Sequence, residues 1–563
     1  MNAHVVVLGG GVAGMTAAHE LIERGFRVTV YEARKVPGGK ARSVEVPNSA
    51  VPPRRPLPGE HGFRFFPGFY RHLIDTMGRI PYKNNKRVLD NLIKTTRIQI
   101  VIAGRQPIST LARFPRSLED LRVLWKGTRE FLASSGLTYD DIRWYERCLW
   151  QLATSCEARR HEEYQQIGWW EFIGASGRST AYQTVLGGMT RSLVAAQPEL
   201  ACTKTVGDIL IQMIWNLVTP GVGTDRVLNG PTNDVWINPW RTYLESRGVD
   251  YRTEARVEGF FCRNGRIAEV EINEKGQSRR VTGDYYIAAL PVEVMALLLT
   301  DDMLQIDATL ESIRVLKNDV AWMTGIQFYL TKDVQLEYGH QLCSDSPWAL
   351  TSLSQPQFWR DTVDLEKDYG DGRVRGILSV DISDWQNPGL NRKAAIDCTP
   401  AEIAAEVWRQ LKAGLPVLQD ADMHSWYLDD DIQVATLRLG KLMNMEPLLV
   451  NRAYRWSMRP SPRTDIPNLF LAADYVRTFT DLATMEGANE AARRAVNSIL
   501  KVSQSRAKPC RLWNLREPWP FAPSRWADRR RYAKGLPWQQ GKAVFSLLEA
   551  LQRLFLRTVF SFK

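Results

Sequence analysis

The stretch His4-Val5-Val6-Val7-Leu8-Gly9-Gly10-Gly11-Val12-Ala13-Gly14 decides the fold of this chain. Val5 to Leu8 are four consecutive apolar residues and read as a strand buried on both faces. Gly9 permits a tight turn, Gly11 lets the backbone approach a pyrophosphate, and Gly14 lets the following helix pack closely on the strand. Ala17, Ala18, Leu21 and Ile22 carry that helix and Val28 to Tyr31 the next strand, so residues 3–32 form one βαβ unit. Phosphates belong at the helix start, around Val12 and Ala13, where free N–H groups and the helix dipole favour negative charge. Glu32 ends the second strand eighteen residues after Gly14, where a carboxylate meets a ribose hydroxyl and disfavours the extra phosphate of NADP. NAD and FAD are both compatible with this unit alone.

Glu32-Ala33-Arg34-Lys35-Val36-Pro37-Gly38-Gly39-Lys40-Ala41-Arg42-Ser43 resembles the paired-glycine motif of the amine oxidase and carotenoid desaturase superfamily of flavoproteins. The resemblance implies FAD, with Ala33, Gly39 and Lys40 along the cofactor. Lys40 stands where Arg is usual, so a point charge replaces a bidentate phosphate contact and Arg42 is the substitute. Asn468 to Asp474 resembles the family's closing strand, whose acid, here Asp474, contacts the ribityl and phosphate region. Met485-Glu486-Gly487 resembles the helix start whose backbone N–H groups face the flavin pyrimidine ring. Arg256-Val257-Glu258 is similar to the strand that meets the adenine at Val257. NAD dehydrogenases lack this second cofactor segment.

Gly59-Glu60-His61-Gly62-Phe63-Arg64-Phe65-Phe66-Pro67-Gly68-Phe69-Tyr70 resembles the corresponding loop of plant-type phytoene and zeta-carotene desaturases, with Arg64 in place of the usual His. The resemblance implies an apolar lipid or isoprenoid chain in an aromatic tunnel lined by Phe63, Phe65, Phe66 and Tyr70. It also implies hydride loss to the flavin and reoxidation by quinone or oxygen. His61 and Arg64 are the candidate catalytic groups at the flavin edge. Arg is no base at ordinary pH, so Arg64 either holds a carboxylate or carbonyl, or pairs with Glu60 or Glu486 to hold the loop. His61 reads equally as a structural hydrogen-bonder. A redox-neutral double-bond isomerase, an amine oxidase and a lipid-binding flavoprotein without catalysis are the competing functions.

A chain of 563 residues exceeds one compact core. The expected fold class is α/β: a Rossmann-like FAD-binding domain assembled from residues 1–75, 230–300 and 451–500, with an inserted α+β substrate-binding domain. The insertions are 76–229, mostly helical, and 301–450; Asn264-Gly265 between them in the chain marks a hairpin. The formal charge of +11 resides in the tail, since residues 501–563 hold 14 Lys and Arg against 3 Asp and Glu. That placement excludes a nucleic-acid footprint spread over the body. Val544, Leu547, Leu548, Leu551, Leu554, Phe555 and Val559 fall on one helical face with Lys542, Glu549, Arg553 and Arg557 opposite, a pattern suited to an anionic membrane surface; packing on the protein's own body or on a second subunit would need the same stripe. Seven scattered cysteines without CxxC spacing indicate neither a disulfide framework nor a zinc site, and no metal is expected. The first strand begins at His4, without a preceding secretory signal, so the expected location is the cytoplasm with peripheral membrane contact.

Overall fold

In the computed structural model, which describes residues 3–194, 196–434 and 441–540, five parallel strands form the sheet that the glycine motif opens. Their order across the sheet is Leu469–Leu471, Tyr285–Ala288, His4–Leu8, Arg27–Tyr31 and Asp250–Arg252. The chain therefore returns to this sheet from three distant regions. Helix Val12–Ile22 and helix Met485–Val502 pack together on one face, and Val5, Val7, Met15, Ala492 and Val496 share a core there. Val6 and Leu8, pointing the other way as a period of two requires, join a second core with Tyr286, Ala288 and Leu471.

Beside it stands a three-stranded antiparallel sheet, Ala255–Arg263, Arg266–Glu274 and Gln277–Val281. Asn264 and Gly265 turn the first hairpin with φ of +54° and +72°, the two positive values that a type I′ turn demands.

The third unit is a seven-stranded sheet ordered Met423–Leu428, Thr324–Leu330, Gly376–Ile382, Thr351–Ser354, Gly339–Cys343, Arg97–Val101 and Ile108–Leu111. Leu378, Val380 and Ile382 pack with Val407, Trp408 and Leu411 of helix Pro400–Gly414. Asp381 lies between two of these apolar positions in a strand, so it belongs to the opposite face. The mostly helical stretch expected for 76–229 thus begins with strands, and helices take over only at Leu118. Arg97-Ile98-Gln99-Ile100 alternates with a period of two over too few residues to stand out beside the long helical patterns that follow.

Residues after Val502 run back along the body. The Trp513 N–H donates to His72 Nε2 at 3.0 Å, and Arg71, Arg493 and Arg511 surround the Trp513 ring. Asp528, buried, bonds Arg159 and the Cys156 N–H. Trp538 donates to Thr154 Oγ1. Trp513 and Trp538 are therefore held by the protein itself, whereas Trp519 and Trp526 are 76% and 57% exposed. The amphipathic stripe from Lys542 to Val559 lies outside the described residues. Among the described residues no helix is long and apolar enough to cross a membrane.

Candidate active site

The glycine loop has the geometry its sequence requires. Gly9 has φ of +105°, and a Cβ there would stand 2.4 Å from the Ala289 carbonyl oxygen; on Gly14 it would stand 1.8 Å from the Gly9 oxygen. The first helical bond runs from Met15 N to Gly11 O, so the N–H groups of Val12, Ala13 and Gly14 precede the ladder, and no side chain caps them. The buried Glu32 carboxylate accepts from Gly10 N at 2.7 Å and Arg34 N at 2.8 Å, and burial lifts its pKa above the usual carboxylate range. Tyr251, which the sequence reading did not single out, donates its hydroxyl to the Gly10 carbonyl at 2.7 Å. Gly38 N reaches the same carbonyl at 3.2 Å, which lays the paired glycines across the loop. Ala33 is exposed beside the acid, and Ala255 N donates to the Glu32 carbonyl, bringing the strand of Val257 alongside.

At the same carboxyl-terminal edge of the parallel sheet, Asp474 is half-buried and accepts no hydrogen bond from the protein among the described residues. Both carboxylate oxygens of Glu293 are buried without a hydrogen-bond partner, and burial raises its pKa. Helix Met485–Val502 begins with Thr484 Oγ1 accepting only the Gly487 N–H, at 3.1 Å, which leaves the N–H groups of Met485 and Glu486 at the helix terminus. N–H groups left free at two helix starts and, among the described residues, acids without a hydrogen-bond partner between them fit a flavin dinucleotide: Val12, Ala13 and Gly14 toward the phosphates, Glu32 toward a ribose, Met485 and Glu486 toward the ring.

Two expected contacts, those of Arg42 and Lys40, need correction; at Glu486 only the backbone N–H is expected to face the cofactor. The Glu486 side chain serves the protein, accepting from Arg71, His72 and Leu73 N–H groups at 2.7, 2.8 and 2.9 Å and pairing with His72 Nδ1 at 2.8 Å. Arg42 does not stand ready for a phosphate, because Asp431, Glu446 at 2.8 Å and the Gly39 carbonyl at 2.9 Å hold its guanidinium. Lys40 donates to the Pro447 carbonyl and lies 3.8 Å from Glu293. Nearer carboxylates and carbonyls, supplied by segments far away in the chain, claim these cations first.

His61 lies 3.3 Å from Asp429 and 3.8 Å from Asp431. One ligand atom from each of these three residues falls within 4.8 Å of the others. Arg42 and Arg34 already bond Asp431, so the charges of this cluster are met by guanidinium groups, and it joins the seven-stranded sheet to the paired-glycine segment. Burial by itself would raise the pKa of Asp429, but the neighbouring His61 holds it below the usual range.

Arg64 approaches Glu60 at 3.7 Å and donates to the Arg42 carbonyl at 3.2 Å, so of its two candidate partners it takes Glu60 and not Glu486. Glu60 is fixed by the Thr232 N–H and hydroxyl at 3.0 Å, and its strand pairs Glu60 with Ser43, directly after Arg42. Facing this loop is the polar side of the seven-stranded sheet. Gln327 exchanges two hydrogen bonds of 3.1 Å with the Glu60 backbone, and Asp381 fills the space that any side chain at Gly62 would need. Burial pushes both Glu60 and Asp381 up to about 7. Phe63 and Phe65 flank His340 with ring centroids 5.1 and 5.2 Å away. Phe66 and Tyr70 sit in the main core, Phe66 against Trp236 at 5.6 Å, where their role is packing.

This arrangement of glycine loop, acid and second helix terminus defines an FAD-dependent oxidoreductase with a mixed α/β fold. The NAD(P)-binding Rossmann-like domain family matches residues 7–80, and the flavin containing amine oxidoreductase family matches residues 215–500. The chain belongs to the flavin containing amine oxidoreductase family, and its cofactor is FAD. It is 25% identical to the zeta-carotene desaturase of Synechocystis sp. (strain ATCC 27184 / PCC 6803 / Kazusa), covering 88% of this chain and 97% of that protein. It is 23% identical to the 15-cis-phytoene desaturase of Synechococcus elongatus (strain ATCC 33912 / PCC 7942 / FACHB-805), covering 88% and 95%. Among solved structures, the cyclohexylamine oxidase of Brevibacterium oxydans IH-35A shares the fold with a TM-score of 0.56 at 14% identity, over 90% of this chain and all of that one.

Proposed function

We propose that this oxidoreductase removes two hydrogens from an apolar isoprenoid chain, forming or remodelling a carbon–carbon double bond. The observation that carries the reading is the single bonded unit running from the glycine loop to the sheet: Gly38 on Gly10, Arg64 on the Arg42 carbonyl, Glu60 against Gln327. That unit supports a position of Phe63, Phe65 and the polar sheet face beside the flavin. Bound FAD supplies the two-electron acceptor. The protein's own share is to hold the chain between the aromatic loop and the sheet, to exclude water with Phe63 and Phe65, and to fix the loop through Glu60 and Thr232. Glu60 and Asp381, with pKa values of about 7, are the groups able to take up a proton there near neutral pH.

The desaturase names of the two cyanobacterial relatives support an isoprenoid substrate. Exposed Trp519 and Trp526 beside Arg529 and Arg530 support peripheral contact with an anionic membrane, from which such a chain would be drawn, and quinone or oxygen is the proposed final acceptor. The test is anaerobic decolourisation of the FAD-loaded protein by isoprenoid hydrocarbons and, in parallel, by primary amines. Loss of the visible flavin band with isoprenoids alone supports the reading. Loss with amines alone would make the protein an amine oxidase.

A further inference from the structure

Residues 510–516 lie across three helices that come from distant parts of the chain. On helix Met485–Val502, the Asn497 side chain accepts from Cys510 N at 2.6 Å and donates to the Cys510 carbonyl at 3.0 Å, and Arg493 donates to the Arg511 carbonyl at 3.2 Å. On helix His72–Met77, His72 Nε2 accepts from Trp513 N at 3.0 Å. On helix Thr203–Val218, Gln212 donates to the Arg516 carbonyl at 2.7 Å and accepts from Arg516 N at 3.0 Å. His72, Arg493 and Gln212 are all buried, so this strap is built into the protein and bolts the cofactor helix to the helical insertion.

The bond from Trp513 decides where a proton sits. A backbone N–H can only donate, so His72 Nε2 accepts and the ring carries its proton on Nδ1, 2.8 Å from Glu486 Oε1. The imidazole is thereby neutral, and it donates to the carboxylate that also gathers the N–H groups of Arg71, His72 and Leu73. Glu486 is the second residue of its helix, and Asn489 ties the same first turn to Thr16 of helix Val12–Ile22 at 2.8 Å. We infer that His72, held in this tautomer by the strap, is a positioning residue for the cofactor: it fixes the Glu486 carboxylate, and through it the place and charge of the helix start. The inference rests on the proposed placement of the flavin at that helix start and not on which substrate is oxidised. Reduced flavin carries negative charge near N1, so a carboxylate that loses a donor there makes reduction harder.

The full chain is tested in two ways. In FAD-free protein carrying isotope-labelled histidine, with His72→Asn assigning the resonance, nitrogen NMR near neutral pH should show His72 protonated on Nδ1 and bare on Nε2. Trp513→Phe keeps the backbone N–H and should leave that spectrum as it is; Trp513→Pro removes the N–H and should let a proton appear on Nε2. In FAD-loaded protein, the flavin reduction potential is read in two variants that each keep half of the imidazole's bonding. His72→Asn retains a donor at the Nδ1 position, next to Glu486, and should keep the wild-type potential. His72→Gln retains an acceptor at the Nε2 position, toward Trp513, but offers Glu486 no donor. It should shift the ratio of oxidised to reduced flavin ~10-fold toward oxidised, a fall of about 30 mV for a two-electron couple. A packing role alone would lower Tm in both variants and separate their potentials in neither. A proton on Nε2 of the wild-type ring, or equal potentials in His72→Asn and His72→Gln, overturns the inference. The dehydrogenase reading fails separately, if isoprenoids do not bleach the flavin.

Discussion

Replacing Glu486 by Ala tests the arrangement at the second helix terminus. The carboxylate is 1% exposed and accepts from three backbone N–H groups at the start of helix His72–Met77 and from the His72 ring. Removing it strands four buried donors. Charge-assisted bonds are worth about 1.5–3 kcal/mol each, and some of that returns if water enters, so a loss of about 5 kcal/mol is expected. A chain of this length unfolds with an entropy of roughly 1.2 kcal/mol/K, which makes the fall in Tm about 4 °C. Glu486→Gln, which keeps an acceptor, should lose about half as much. Burial alone would raise the pKa of Glu486; His72 and the Leu73 and Arg71 N–H groups hold it below its ordinary value. The stabilisation is therefore present above the unfolded carboxylate pKa and is lost as pH falls through the folded one, so the Tm gap between wild type and variant should be full at pH 7 and narrow below about pH 4. Because the Met485 and Glu486 N–H groups of this helix start are proposed to face the flavin, bound FAD should fall with it. Thermal melts and flavin content of the purified variant check both; an unchanged Tm with full flavin would refute the reasoning.

Gly14→Ala should abolish FAD binding, since the new Cβ would stand 1.8 Å from the Gly9 carbonyl oxygen, and flavin absorbance of the purified variant reads it directly. Asp474→Ala should lose bound FAD with little change in Tm of the FAD-free protein, as no hydrogen bond among the described residues depends on this side chain; full flavin occupancy would show that it is no cofactor ligand. The Asp381 pKa is raised by burial to about 7, so its protonated form stabilises the fold at low pH and that stabilisation is lost as pH rises from about 4 through about 7. Asp381→Asn should then melt about 3 °C above wild type at pH 8, the equivalent of on the order of 4 kcal/mol, with the gap closing at pH 4. Deleting residues 541–563 should release the protein from anionic vesicles in a sedimentation assay; unchanged binding would assign that segment to packing.

The cofactor half of the molecule was legible because its chemistry is local. Gly9, Gly11, Gly14 and Glu32 lie within one βαβ unit, and the turn, helix start and acid follow from spacing along thirty residues. Asn264-Gly265 announced its hairpin for the same reason. The side chains that claim Arg42 and Lys40 could not be read, because Asp431, Glu446 and Pro447 come from a segment about four hundred residues away. Acids such as Glu293, two residues after Pro291 at a helix start, offered a faint signal. Asp381 and His340 offered none: each is a polar residue in a short strand that holds another, and only the alternation of strands from distant segments puts them on the same face as Gln327. The loop's aromatic run misled in the other direction, since Phe66 and Tyr70 serve the core while Phe63 and Phe65 flank His340.

The most direct test of the central claim is an anaerobic single turnover: FAD-loaded protein is mixed with an isoprenoid substrate in vesicles, the flavin band is followed, and the lipid is analysed by mass spectrometry. Bleaching of the flavin in step with a product lighter by two hydrogens, one molecule for each flavin reduced, is the expected result. A product of unchanged mass with the flavin still oxidised would contradict dehydrogenation and make the protein an isomerase.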